Sequence, residues 1–323
     1  MFKDSNVLVT GGSGMIGIQL VKLLLEEGAN VTVADLNKSK GLPLDVNFEK
    51  VNLLYFDQCE KICQDQDYIF NLVGIKCSPK VTMEQPADIM GPMLQFNTNM
   101  LEAAMKVNPK WYLYTSTVGV YSPADIFVEH GYGEMNYGYP SKNDWYGGWA
   151  KRMGELQCEA YVKQRGENIF SIVRPANVYG PNDTFDLKNA MVVPSLIRKA
   201  AENDVLEVWG DGSPIRDFIH ARDVARGMIF AVKNKIIEPI NLGSGVGAPI
   251  SAVVQIVADY FNIPVKYSPE KPSGDPLRIF SMEKANKYGF FPEISLEEGV
   301  LETIEWFLAN PDKIEKNFNP LNK

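Results

Sequence analysis

Asn6-Val7-Leu8-Val9-Thr10-Gly11-Gly12-Ser13-Gly14-Met15-Ile16-Gly17 runs from a short apolar segment of strand type into three spaced glycines and the start of a helical pattern. Gly11, Gly14 and Gly17 at that spacing let the backbone turn sharply, approach a pyrophosphate and pack a helix on its strand. The helix start meanwhile offers free N–H groups to an anion. The ligand predicted is an adenine dinucleotide, with Ser13, Met15 and Ile16 completing the loop around it. Helical periodicity in Ile16, Leu20, Leu23 and Leu24 stops at Gly28, and Asn30 to Asp35 reads as a second strand. Asp35 then stands where an acidic residue hydrogen-bonds the adenosine ribose hydroxyls and repels a 2′-phosphate, which favours NAD over NADP.

Strand-like segments continue at Val51 to Phe56, Tyr68 to Leu72, Trp111 to Thr115 and Ile169 to Val173, separated by helical patterns such as Asn97 to Lys106. Such alternation predicts an α/β fold, a Rossmann-type doubly wound parallel sheet with helices on both faces and ligands at the carboxyl ends of the strands. The glycine loop, Asp35, Asp57 with Gln58, Leu72-Val73-Gly74 and Ser116-Thr117 follow successive strands. After about Tyr179, Pro181, Pro194, Pro214, Pro264, Pro272, Pro276 and Pro292 punctuate shorter elements, while residues 237–242 read as a strand returning to the main sheet. The expectation is a dinucleotide-binding domain over 1–178 plus about 219–245, and a smaller, interleaved C-terminal α/β substrate lobe over about 179–218 and 246–323.

With 323 residues, 45% of them hydrophobic, the chain can bury a large core. Its apolar runs are too short to span a membrane, and no basic, apolar leader precedes the first strand, so a cytoplasmic location is expected. A net charge of −8 and a pI near 5.0 argue against a nucleic-acid partner. Cys59, Cys63, Cys77 and Cys158 and the two histidines show no ligand spacing, so neither a metal nor a disulfide framework is expected.

Further motifs carry a resemblance that covers nearly the whole chain. They are Thr10 to Gly17, Asp57 at the adenine-side position, Gly74-Ile75-Lys76, Asn99 to Ala104, Thr115-Ser116-Thr117, Lys151, Arg174-Pro175-Ala176-Asn177-Val178-Tyr179-Gly180-Pro181 and Arg216-Asp217-Phe218-Ile219-His220. With these the chain resembles the extended short-chain dehydrogenase/reductase family, in its nucleotide-sugar epimerase, dehydratase and reductase branch. The resemblance implies that Lys76, Asn99, Lys151 and Arg174 join the cofactor site. It also implies catalysis by a phenol, a lysine that lowers the phenol's pKa by charge attraction, and a hydroxyl that orients the reacting oxygen. Lys151 fits the lysine, which also holds the nicotinamide ribose, and Thr117 fits the hydroxyl. A homodimer through the lysine-bearing helix is implied by analogy.

The phenol departs from the family pattern. The family places its tyrosine four residues before the lysine, roughly 40° away on one helix face, and that position here is Gly147. Tyr146 lies five residues before Lys151, roughly 140° away in a regular helix. It serves if Gly147-Gly148 hosts a bulge or if the helix begins at these glycines; otherwise Tyr139, His130 or a water supplies the base.

Asn177, Asn189, Val192, Trp209, Arg216 and Arg278 match the family's substrate positions, the guanidinium groups suiting a diphosphate. Trp209 stacks on a nucleobase or packs in the core. The segments from Val192 to Arg198, from Lys271 to Asp275 and on to Leu308 look most like GDP-fucose synthases, which favours GDP over UDP. Yet the acid and base with which that family inverts carbons beside the ketone fall here on Gly119 and Met191, which exchange no proton. The acidic pair of the dehydratases falls on Val118-Gly119. Hydride transfer at C4 of a nucleotide-linked sugar survives, as a 4-epimerase or 4-dehydrogenase. The alternatives are an NADH-dependent 4-keto-sugar reductase and an inactive protein that binds NAD and a nucleotide sugar.

Overall fold

The computed structural model describes residues 1–76, 79–131, 138–271 and 275–313; Cys77, Pro272, Ser273 and Gly274 lie outside the described residues. The opening stretch divides into β1 (Asn6–Thr10), a glycine loop and α1 (Met15–Glu26), followed by β2 (Asn30–Asp35). Next come β3 (Asn47–Lys50), α2 (Phe56–Cys63), β4 (Tyr68–Asn71), α3 (Pro79–Glu84), α4 (Pro86–Val107) and β5 (Trp111–Thr115). A two-residue β6 (Ile126–Phe127) precedes α5 (Trp145–Arg165), β7 (Phe170–Pro175), β8 (Asn177–Tyr179) and α6 (Val192–Glu202). The chain continues through β9 (Leu206–Trp209), β10 (Ile215–His220), α7 (Ala221–Lys233), β11 (Ile240–Leu242), β12 (Gly247–Pro249) and α8 (Ile250–Phe261). It closes with β13 (Val265–Ser268), β14 (Leu277–Phe280), α9 (Glu283–Tyr288) and α10 (Leu296–Ala309).

Seven strands pair in parallel in the order β11-β7-β5-β4-β1-β2-β3, the doubly wound arrangement that βαβ alternation demands. Side chains alternate across this sheet. Val7 and Val9 of β1 pack with Leu20 and Leu24 of α1 and Met228 of α7, whereas Leu8 between them packs with Met100 and Leu101 of α4 and Cys158 of α5. Helices thus cover both faces, and every strand presents its carboxyl end to the same edge. Burial pushes the Cys59 and Cys63 thiols up to about 12, which leaves them unreactive packing groups.

Beyond β7 the chain builds a second, mixed sheet in which β10 pairs antiparallel to β12 and parallel to β8 and β14, with β14 also pairing β6. The register sets Arg216 opposite Arg278. A separate apolar cluster joins α6, α8 and α10 through Leu196, Ile197, Val254, Val257, Val300 and Ile304. No helix among the described residues is long and apolar enough to cross a membrane.

One strand differs from its sequence reading. Val51 to Phe56 is not the third strand: β3 is the polar Asn47–Lys50 at the sheet edge, and Phe56 already opens α2. An edge strand of half-exposed residues carries no apolar run, while Val51 and Leu53 in the following loop are apolar because they plug the core under α2 and α4.

Helix α1 can dock on the loop only because Gly17 has no side chain. An ideal Cβ there would stand 2.5 Å from both the Gly11 carbonyl oxygen and Gly12 Cα. Gly17→Ala is therefore expected to cost about 1–3 kcal/mol, read as a lower midpoint of denaturant unfolding; an unchanged midpoint would mean that the helix has room to withdraw.

Candidate functional site

The site is built on the carboxyl edge of the seven-stranded sheet, beginning at the glycine loop. Gly14 caps α1 without any side-chain hydrogen bond, so the first-turn N–H groups face the loop unclaimed by a side chain. Gly11 adopts φ +70°, the left-handed turn that lets its N–H donate to the Ala34 carbonyl at 3.0 Å. Met15 and Ile16 are half-buried in that first turn. The Asp35 carboxylate, at the end of β2, accepts from the Ser13 N–H at 3.1 Å and from the Leu36 N–H at 2.7 Å. Burial raises the Asp35 pKa, and those two backbone donors oppose the rise. A bare helix start, glycines whose Cβ atoms would fill the cradle, and a carboxylate one strand away fit a dinucleotide.

The floor of the site lies at β4 and β5. Buried Asn71 ties the strand ends together, its carbonyl accepting from Thr10 Oγ1 at 2.8 Å and its amide donating to Tyr112 Oη at 2.8 Å. Lys151 reaches in from α5, its ammonium donating to the Thr115 carbonyl at 2.8 Å and the Val73 carbonyl at 3.1 Å. Gly74 leaves the space above it open: an ideal Cβ there would stand 3.6 Å from Nζ. Two other glycines press α5 onto this floor. Cβ atoms at Gly148 and Gly154 would fall 2.2 Å from the Gly119 carbonyl and 2.1 Å from Tyr114 Oη. Thr117 closes the edge, capping the short turn Val118–Val120 by accepting from the Gly119 N–H at 3.3 Å.

Several expected residues have other partners. Asp57 is an exposed residue in the first turn of α2, and Gln58 accepts from the Asn52 N–H at 2.7 Å, which holds the loop after β3. Asn99 donates to the Leu53 carbonyl at 2.9 Å and so shapes that same loop. Leu72 continues β4, its N–H donating to the Thr10 carbonyl. Lys76 crosses to the C-terminal segment, pairing with Asp183 at 2.7 Å. Arg174 does not face the cofactor groove: fully buried, it donates to both Glu155 oxygens at 2.9 and 2.6 Å and to Tyr121 Oη at 3.1 Å. Glu155 also accepts from Ser116 Oγ at 2.5 Å, so Arg174 supports the floor from beneath.

The phenol is displaced. Helix α5 runs unbroken from Trp145, with neither a bulge nor a start at the two glycines, so Tyr146 stays roughly 140° from Lys151. Tyr146 is 38% exposed, and Tyr139 and His130 are exposed as well.

On the substrate side, Asn177 donates to the Asp217 carbonyl at 2.9 Å, and Asn189 donates to Asp186 at 3.2 Å. Val192 opens α6. Trp209 is 57% exposed with Lys199 and Lys271 over its ring, a surface platform and not a core residue. Arg278 donates to Asp144 at 2.7 Å and to Ser141 Oγ at 3.1 Å. Asp144, Ser141, Glu155 and Asp183 are the site residues that sequence reading missed. Glu155 stands four residues after Lys151 on its helix face, and that spacing was available as a signal, whereas Asp144 caps α5 from outside its regular turns. Asp183 pairs across 107 residues and gave none.

Removing one partner of the buried Arg174–Glu155 pair strands a charge, so Arg174→Met is expected to lower stability by about 3–5 kcal/mol in denaturant unfolding; normal stability with weakened cofactor binding would return Arg174 to the groove. Burial brings the Lys151 ammonium from its ordinary 10.5 down to about 7, with Glu155 opposing the shift. Between those values the unfolded chain binds more protons, so this lysine makes stability rise as pH rises from about 7. Lys151→Met is expected to remove that slope in unfolding series run from neutral to mildly alkaline pH, and parallel curves for the two proteins would contradict the assignment.

The model of the NAD dependent epimerase/dehydratase family matches residues 7–243 of this chain. GDP-L-fucose synthase of Sinorhizobium fredii is 29% identical over 320 residues, covering 96% of this chain and 98% of that protein. UDP-N-acetyl-alpha-D-glucosaminuronate decarboxylase of Bacillus cytotoxicus is 31% identical over 318 residues, covering 93% and 97%. Among solved structures, UDP-glucose 4-epimerase of Thermotoga maritima, 28% identical, superposes with a TM-score of 0.77 over 95% of this chain and 99% of that one. With most of its length under that family's model, the chain belongs to the NAD dependent epimerase/dehydratase family.

Proposed function

We propose that this chain transfers a hydride at C4 of a nucleotide-linked sugar, as a 4-epimerase or 4-dehydrogenase, using NAD and favouring a GDP-sugar. The observation that carries this reading is the buried Lys151 ammonium, fixed beneath Gly74 by the Thr115 and Val73 carbonyls. A cation held there suits the ribose hydroxyls on the nicotinamide side, with the Thr117 hydroxyl next to the reacting oxygen. Bound in the glycine cradle, NAD supplies hydride acceptance from an alcohol or, as NADH, its return to a ketone.

The chain's own residues divide the remaining work. The uncapped start of α1 binds the pyrophosphate, and Asp35 accepts from the ribose while repelling a 2′-phosphate. Arg216 and Arg278, side by side in register, suit the sugar diphosphate, and Trp209 offers its exposed face to the base. Gly119 and Met191 supply no proton for inversion at neighbouring carbons, which confines the chemistry to one centre. Similarity to GDP-L-fucose synthases supports GDP, and it also keeps a second reading, reduction of a 4-keto sugar by free NADH.

Incubation with GDP- and UDP-hexoses, following nicotinamide absorbance and sugar configuration by NMR, tests the proposal. A 4-epimer or a 4-keto sugar, with absorbance appearing at the reduced nicotinamide band, is expected. Stoichiometric NADH consumption with a 4-keto sugar alone selects the reductase, and no change with any sugar contradicts both.

A further inference from the structure

We propose that Asp144, in place of a tyrosine, carries the proton at the reacting sugar oxygen. This inference rests on the hydride-transfer reading above. Position 147, where the family's phenol belongs, is a glycine whose Cβ would meet no described atom within 4 Å, so no described side chain takes the phenol's place there. Asp144 ends a short 3₁₀ turn and caps α5, so it stands at the open end of the helix that carries Lys151. Gly119 then makes room for it. An ideal Cβ on Gly119 would stand 3.1 Å from Asp144 Cβ, 3.4 Å from its Cγ and 3.4 Å from Thr117 Cγ2, so the carboxylate and the threonine flank one gap.

The two carboxylate oxygens are used differently. Oδ2 accepts from Arg278 at 2.7 Å and from Ser141 Oγ at 3.0 Å, while Oδ1 takes no hydrogen bond among the described residues. Arg278 and Arg216 are the cations facing this carboxylate from the second sheet, Asp275 is the other anion on Arg278, and Lys151 lies below on α5. The guanidinium and the Ser141 hydroxyl fix the direction of the carboxylate through Oδ2, so Oδ1 remains as an acceptor on the side of Thr117. In the oxidising direction the sugar hydroxyl proton passes to Oδ1 as the C4 hydride leaves for the nicotinamide ring of NAD. The products are a ketone, NADH and a neutral Asp144 acid, and the reverse step returns both particles. Because Asp144 is 30% exposed on its side chain, the proton can exchange with water if the ketone departs.

Single-turnover reduced-nicotinamide formation across pH, with sugar affinity measured by calorimetry, tests this. Asp144→Asn is expected to slow the step about a hundredfold or more and to abolish the fall in rate on acidification. Sugar affinity should stay within about threefold, as the loss of one partly exposed ion pair allows. Adding Gly147→Tyr to that variant restores a phenol four residues before Lys151 and is expected to recover at least about tenfold of the lost rate with a different pH dependence. The proposal is overturned if Asp144→Asn keeps the wild-type pH profile and a rate within about threefold. It is equally overturned if Tyr146→Phe, and not Asp144→Asn, removes the acid-side decline. A wild-type protein that binds NAD yet reacts with no sugar overturns the functional reading together with this one.

Discussion

The contact of Gly17 with the backbone of Gly11 and Gly12 governs the site more than any other. With 2.5 Å between an ideal Cβ and the loop, any side chain would push α1 away from β1, and the helix start would no longer face the carboxyl edge of the sheet. Because that contact is made by backbone alone, the first-turn N–H groups of α1 stay unclaimed by side chains, and the positive end of the helix is directed at whatever lies across β1, β2 and β4. Asp35 secures the same geometry from the side through the Ser13 N–H, so one carboxylate at the end of β2 holds the loop.

Opposite this cradle, α5 is a helix with a dense face and an open one. Gly148 and Gly154 are glycines because the turn after β5 and the Tyr114 hydroxyl leave no space, while a Cβ at Gly147 would meet none of the described residues within 4 Å. Close packing drives the Lys151 ammonium into a dry position that two carbonyls, the Tyr114 ring and the nearby Glu155 make tolerable. Glu155 is itself neutralised by buried Arg174, so a chain of polar contacts runs from the lysine through the sheet to Tyr121 and Asn241. Rigid support of this kind suits a site whose reacting groups must hold their positions while a sugar binds.

The legible parts of the sequence were those where local pattern and global packing agree. β1, α1 and β2 announce themselves because apolar alternation, glycine spacing and the stop at Gly28 all act within one βαβ unit. β5 was readable for similar reasons. β3 was not, since a polar edge strand lacks the pattern and the apolar loop beside it imitates one. Arg174 sits in a family motif, yet its motif position reflects a buried pair with Glu155 and not a ligand contact. Tyr146 was the nearest phenol in sequence, and helical rotation separates it from the lysine. Asp144 escaped notice because its significance depends on the absence of side chains at Gly119 and Gly147, which no single-residue reading exposes.

Calorimetric titration of cofactor-stripped protein with NAD and with NADP tests most directly whether the glycine cradle and Asp35 form a dinucleotide site. One site per chain for NAD, with NADP bound more weakly because its 2′-phosphate meets the Asp35 carboxylate, is the expected result. No heat with NAD, or tighter binding of NADP, would contradict it.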